Sequence, residues 1–393
     1  YWLGETFTTL FKVKNPNDLL QPESMPSFIK EIALIIVNDT VKIPLVGTYK
    51  WRIPSYGEKR REVIKTPRFS VNFEEKLIVV KPGIEKKLKL KVHSFENKLT
   101  DKITINAPEG WEVSPSSIDV SMDKTHEEKW MEISLKPTEK GKSGILNLTD
   151  SEGNSIHSFT EIAYDHIPTQ VIFGKSQIKC VKLDAKIKSG KIAYITGVKD
   201  AVPAAIAQLG FEVKQFEVSD LTSLDLSQFQ SVVLGIRIYN VHPELKNFET
   251  KLFEYVKKGG NLIMQYNTAS RRARASTYGP VPFKLTRNRV TEEDAEVKFL
   301  QPNHSIMTTP NKLSKTDFDN WVQERGLYFA GDWDKSYTPL FSWADKGEDE
   351  QKGALIVTKY GEGQFVYTGI SFFRELPNGV EGAYKLFANI LSY

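Results

Sequence analysis

The hydrophobic period of this chain changes near residue 190, and that change limits its folds more than any other feature. Beyond it, short and almost wholly apolar strings alternate with stretches of helical period. The strings are Ile192–Thr196 (IAYIT), Ser231–Ile236 (SVVLGI) and Asn261–Gln265 (NLIMQ). A strand that is apolar on both faces needs cover on both faces. Between the strings, Asp200–Leu209 predicts a helix with Asp200 at its N-cap and Gly210 as its stop. Phe211–Val218 predicts a further strand. Pro243–Lys258 predicts an amphipathic helix ended by Gly259-Gly260. Residues 354–373 predict two strands about the turn Gly361-Glu362-Gly363, and Gly379–Leu391 a closing helix. Strands and helices in this alternation imply a mainly parallel sheet with helices on both faces, the flavodoxin-like α/β plan.

Before residue 190 the pattern is that of half-buried strands. Lys86–Val92 (KKLKLKV) alternates polar and apolar, and turn clusters such as Pro108-Glu109-Gly110 and Glu152-Gly153-Asn154 recur at short intervals. The expectation is a multi-domain protein, with N-terminal antiparallel, immunoglobulin-like β-sandwich modules followed by the α/β domain. The boundaries read as a β module at 1–72, an immunoglobulin-like sandwich at 73–165, a linker at 166–189 and the α/β domain at 190–393. In the first module Phe7–Lys14 reads as a strand, and Ile32–Val37 with Val41–Tyr49 as a hairpin.

Composition narrows function by exclusion. A net charge of +4 spread over 393 residues is not a nucleic-acid footprint. No apolar run approaches the ~20 residues that span a bilayer. The single cysteine, Cys180, excludes an internal disulfide and a cysteine-rich metal site. The chain opens Tyr-Trp-Leu-Gly, without Met, and reads as a processed form or a piece of something longer.

Three stretches resemble known families. Ala107–Ser114 (APEGWEVS) is similar to the β-sandwich modules appended to carbohydrate-active enzymes. IAYITG, SVVLGIRIYN and YVKKGGNLIMQYNT resemble the class I glutamine-amidotransferase-like fold, including its degenerate relatives. In active members a sharp elbow after a strand holds a nucleophilic Cys. Counted from Gly259-Gly260, that place falls to Tyr266, and a phenol does not replace a thiolate in acyl transfer. VLGIRIYN, WVQERGLYF and YGEGQFVYTGISFFRELPNGVEGAYKLFANIL look like the C-terminal half of long bacterial LmbE/PIG-L-type N-acetylglucosaminyl deacetylases. The zinc-holding His-Pro-Asp-Asp motif of that family is not found, and Asp165-His166-Ile167-Pro168 has the wrong order.

The resemblance implies a non-catalytic accessory region that binds glycan, docks the deacetylase domain or oligomerises. Zinc would belong to the missing deacetylase domain, and no cofactor or metal is expected in this chain. The implied partners are a cell-wall saccharide, the deacetylase domain and a second copy of the chain, with neither nucleic acid nor a membrane span. The parent protein is expected outside the cytoplasm, in the periplasm or at the cell surface. The alternative is a hydrolase or amidase of amidotransferase-like fold with non-cysteine chemistry, Tyr266 working with Glu324 or His304.

The candidate ligand site follows from the sheet itself. Ligands of open α/β sheets bind beyond the carboxyl ends of the strands. Arg237, Tyr239, Asn240, Gln265, Tyr266 and Asn267 fall at such ends, with Arg271 and Arg272 on the following loop. They read either as a glycan crevice or as polar groups satisfying one another. Arg271, Arg272, Arg274, Arg287 and Arg289 read either as an anion site or as partners of Glu292, Glu293 and Asp294. Glu324-Arg325 reads as a buried ion pair.

Overall fold

The computed structural model describes residues 13, 15–20, 25–269 and 277–393. At the N-terminus β1 (Ile29–Ile36) pairs antiparallel with β2 (Asp39–Val46), and β3 (Thr48–Ile53) with β4 (Gly57–Glu62). The first pair is the hairpin legible in the sequence. The strand expected at Phe7–Lys14 lies outside the described residues except for Val13. No described residue before Phe69 is buried, so the expected first sandwich module is two ribbons instead. A two-stranded ribbon has no second layer and encloses no core. One face of the β1–β2 ribbon carries Ile32, Leu34, Ile36, Val41, Ile43 and Leu45, all exposed.

A β-sandwich follows. One sheet has the order β10 (Ser117–Met122), β8 (Leu99–Asn106), β12 (Gly144–Thr149), β15 (Gln177–Lys182), β6 (Leu77–Val80). The other has the order β14 (Gln170–Lys175), β13 (His157–Ile162), β5 (Phe69–Phe73), β7 (Lys86–Ser94), β11 (Glu128–Pro137), β9 (Trp111–Ser114). Neighbours are antiparallel except β15 with β6 and β13 with β5. The alternation of KKLKLKV has its expected outcome: Leu88, Leu90 and Val92 face a core shared with Ile103, Ile133 and Leu146. Trp111 is buried in the same core and donates from Nε1 to the Lys142 carbonyl at 2.8 Å.

The supposed linker 166–189 is corrected by this topology, because β14 and β15 lie inside it and each pairs within a sheet. Cys180, on β15, is therefore a fully buried core residue. Burial pushes its thiol up to about 12, which keeps it protonated and unreactive.

The C-terminal half is built on a seven-stranded sheet. β17 (Glu212–Phe216), β16 (Lys191–Ile195), β18 (Ser231–Leu234), β19 (Asn261–Gln265) and the strand Gly363–Thr368 lie side by side in that order and run parallel. The strands Leu355–Tyr360 and Thr338–Pro339 extend the sheet antiparallel. Leu355–Tyr360 and Gly363–Thr368 meet at a two-residue turn whose first residue, Gly361, has φ 62°. Turns of that kind take Gly there because L side chains resist positive φ. The helices Val202–Gln208, Glu249–Lys257 and Glu381–Ser392 cover the sheet. The N-cap of the first is Ala201, not the expected Asp200, which stands one residue earlier and accepts from Val202 N at 2.7 Å.

The sandwich and the α/β half share apolar packing. Val79, Val181 and Leu183 belong to the same buried cluster as Ile206, Val380 and Tyr384. At the junction Gly379 has φ 65°, and a Cβ there would lie 2.8 Å from the side chains of Leu77 and Val181. Lys179 Nζ donates to the Asn378 carbonyl at 2.7 Å, and Ser143 Oγ to Glu381 Oε1 at 2.6 Å. No helix among the described residues is long and apolar enough to cross a membrane.

Candidate functional site

β16 and β18 leave the sheet side by side, and the gap between their exits is closed by backbone. Val198 N donates to the Ile236 carbonyl at 3.0 Å, and Gly235 N to the Ile195 carbonyl at 2.9 Å. A Cβ on Gly197 would lie 2.3 Å from the Ile236 oxygen. Thr196-Gly197 is thus removed from any crevice. The open space lies one strand pair further along.

β18 runs through Gly235-Ile236 into Arg237, whose φ of 56° is left-handed, and a short helix, Ile238–Val241, begins at once. A strand, a strained residue and a helix in immediate succession are the geometry of a nucleophile elbow. The sequence placed the elbow at Tyr266. The left-handed residue is Arg237 instead, while Tyr266 is absent from the positive-φ residues and no helix follows it through Ala269. Gly235-Ile236-Arg237 thus ends β18 on a left-handed residue directly ahead of the one-turn helix Ile238–Val241. Both nearby backbone donors have partners: Arg237 N donates to the Tyr266 carbonyl at 2.8 Å and Ile238 N to the Gly235 carbonyl at 3.3 Å.

Of the candidate residues, the amides join the two strand exits. Asn267 Oδ1 accepts from Tyr239 N at 2.8 Å, and its Nδ2 donates to the Gln265 carbonyl at 3.1 Å. Asn240 Oδ1 accepts from Thr268 N at 2.7 Å, and its Nδ2 donates to the Thr268 carbonyl at 3.2 Å. Gln265 turns to β16 and donates to Tyr194 Oη at 3.2 Å, while Tyr194 donates to Asp200 at 2.6 Å. Tyr239 stands edge-on to Tyr278, and burial raises its phenol pKa, aided by the nearby Glu249 charge. Arg271, Arg272 and Arg274 lie outside the described residues.

Two candidates keep unused polar capacity. Arg237 Nε is buried and has no hydrogen-bond partner among the described residues. Tyr266 Oη makes no hydrogen bond among them; its ring stacks on Tyr328, with centroids 6.0 Å apart and planes 9° apart, and tilts against Phe373. Burial raises the Tyr266 phenol pKa, opposed by the charges of Arg237 and Arg374.

A cleft of about 520 Å³ opens beside this pair, lined by Thr268, Ala269, Arg287, Arg289, Glu324, Leu327 and Tyr328. Glu324 is held by Arg374 Nε at 2.8 Å, which leaves its charge compensated. Arg325 does not pair with Glu324, contrary to the sequence reading. Its side chain is buried, donates to the Phe318 and Ala295 carbonyls, and lies over the rings of Trp321 and Trp343. Glu324 faces the cleft, while Arg325 faces the aromatic cluster of Trp321 and Trp343. Tyr328 is left-handed too, at φ 54°. Strained non-glycine residues thus flank the cleft, as they do at many ligand sites.

His304 stands apart from this cleft. Its Nδ1 accepts from Ile306 N at 3.2 Å and its ring stacks on Tyr393, near the opposite end of the sheet. Among the described residues, no cluster of three or more His, Cys, Asp or Glu is arranged to hold a metal ion. Sequence reasoning missed Tyr328 and Arg374 as site residues. The signal for Tyr328 lay in the string WVQERGLYF; nothing in the sequence pairs Arg374 with Glu324.

No family model and no curated protein matches the sequence. Among solved structures, the CARDB domain of a Pyrococcus furiosus protein, in complex with di-metal ions, is similar at 15% identity, covering 30% of this chain and 98% of that one, with a TM-score of 0.18. Native alpha-2-macroglobulin from Escherichia coli, from domain MG7 to the C-terminus, is similar at 11% identity over 29% of this chain and 17% of that one, with a TM-score of 0.19. The human F-spondin reeler domain is similar at 12% identity over 32% of this chain and 92% of that one, with a TM-score of 0.16. Likeness this shallow bears on neither fold nor function.

Proposed function

We propose that this chain is a non-catalytic, glycan-binding accessory region of an LmbE/PIG-L-type deacetylase. Its C-terminal half is a flavodoxin-like domain derived from the amidotransferase-like fold, and its sandwich is immunoglobulin-like. The parallel strands in chain order 2-1-3-4-5 support the flavodoxin-like reading. The observation that carries the function is the elbow. The place of the nucleophile belongs to Arg237, a side chain that stays protonated and offers no attacking lone pair. Beside it are a cleft of ligand size and the stacked rings of Tyr266 and Tyr328. A sugar presents an apolar ring face and a polar rim, and tyrosine rings with guanidinium donors complement both.

On this reading the deacetylase chemistry and its zinc reside in another domain, and the parent protein works outside the cytoplasm, where cell-wall saccharide is found. The test is calorimetric titration of the chain with cell-wall oligosaccharides, beside an assay for acetate release. Saturable binding that Tyr328→Ala weakens at least tenfold, with no acetate released, is the expected result. Release of acetate by this chain alone, or no saccharide binding at millimolar concentration, refutes the proposal.

A further inference from the structure

We infer that the degenerate elbow has become an anion site, and that the ligand of the cleft carries a carboxylate. This rests on the saccharide reading above and narrows it to acidic sugars, the uronic-acid class. The argument is one of charge and of unused donors.

Arg287, Arg289 and Glu324 line the cleft, Arg374 pairs with Glu324, and the charge of Arg237 acts on Tyr266, whose ring stacks on the cleft residue Tyr328. Glu324 and Arg374 neutralise each other at 2.8 Å. Asp345, whose charge reaches Arg289, is occupied by hydrogen bonds from Thr291 N and Oγ1 and from Glu292 N. Arg237 and Arg287 form no ion pair among the described residues. Among the described residues the sole hydrogen bond from the Arg287 side chain is a long one, Nε to the Ala269 carbonyl at 3.5 Å. Asp345 thus offsets Arg289, and the charges of Arg237 and Arg287 remain without an ion-pair partner among the described residues.

The Arg237 Nε is the stronger half of the argument. A buried donor without a partner is destabilising, and here it belongs to a residue already strained into the left-handed region. A neutral hydroxyl would satisfy it weakly. A carboxylate accepts two parallel N–H bonds from a guanidinium and cancels its charge as well.

The experiment compares two probes of equal length, a neutral N-acetylglucosamine tetramer and a galacturonate tetramer. Each is titrated calorimetrically into the whole chain at low salt and at high salt. Tighter binding of the galacturonate by at least tenfold is expected, with the preference shrinking as salt rises. Arg287→Ala, at an exposed position where folding is safe, is expected to remove most of that preference, costing the acidic probe at least fivefold more affinity than the neutral one. Arg237→Lys keeps the charge but not the fork, so it is expected to lose at least fivefold for the acidic probe. Equal affinity for both probes overturns the inference and leaves the saccharide reading standing. Failure of both probes to bind overturns both. An acidic preference that survives both substitutions places the anion elsewhere and overturns the inference.

Discussion

The two ends of the parallel sheet are both rich in buried polar side chains, and they use them in opposite ways. At the amino end, Asn261 Nδ2 donates to Ser231 Oγ at 2.8 Å and to the Ile390 carbonyl at 2.9 Å. Ser231 donates to the Leu391 carbonyl at 2.8 Å, and Gln364 Nε2 to Asn261 Oδ1 at 3.0 Å. The orphan carbonyls of the last helical turn are thus capped by the strand starts. One acceptor, Gln364 Oε1, is left over. At the carboxyl end the leftover atoms include Arg237 Nε and Glu375 Oε1, and an open cleft is walled by Tyr328 and Glu324. Polar residues at strand ends do not by themselves mark a binding site; the capacity left after the protein has satisfied itself does.

The comparison can be broken first through the helix whose last turn closes the amino end. A Cβ on Gly382, in the helix that closes it, would lie 1.6 Å from the Asp317 carbonyl oxygen. Gly382→Ala is expected to lose about 3 kcal/mol or more in urea unfolding, since the backbone on both sides must move. A loss below about 1 kcal/mol would mean that the helix is not anchored there.

The next effect is one of pH and belongs to the open end. Glu375 is fully buried, and its carboxyl is pushed up to about 8, chiefly by burial. The fold favours the protonated form, so the stability this group contributes is complete below about 4.5, the ordinary value, and is lost as pH rises to about 8. Glu375→Gln is expected to flatten that slope, a difference on the order of a few kcal/mol at pH 8 relative to pH 5. Parallel pH profiles for the two proteins would show that Glu375 ionises normally.

Asn261→Ala removes both donors and the acceptor of the closed network. It is expected to cost about 2 kcal/mol in the same unfolding assay. The smallest effect should come from the matching change at the other end. Arg237→Met discards an unpaired buried donor, so its stability is expected to stay within about 1 kcal/mol of the parent or to rise. If Arg237→Met proved as destabilising as Asn261→Ala, the two ends would be alike and the elbow would be structural.

Several misreadings share a cause. The linker placed at 166–189 contains Gln177–Lys182, whose polar–apolar alternation was visible, but its distance along the chain from the other strands hid the pairing with β6 and β12. The first module carries a correctly read hairpin, yet its apolar face stays exposed, because alternation says which residues share a face and not whether a second layer exists. The elbow was sought by counting from Gly259-Gly260. The left-handed residue at the end of β18, Arg237, is identified by a φ angle that no residue type announces.

Local chemistry alone determined the change of period near residue 190, the apolar strands β16, β18 and β19, the Gly361 turn and the inward face of Lys86–Val92. Each depends on contacts between residues close in sequence, or on a single residue's backbone freedom. Tertiary structure alone decided that β14 and β15 complete the sandwich, that Glu324 meets Arg374 rather than Arg325, and that Arg237 keeps an unpaired donor beside a cleft. Partners far apart in sequence are chosen by packing, and a free donor is known only once every nearby acceptor has been placed.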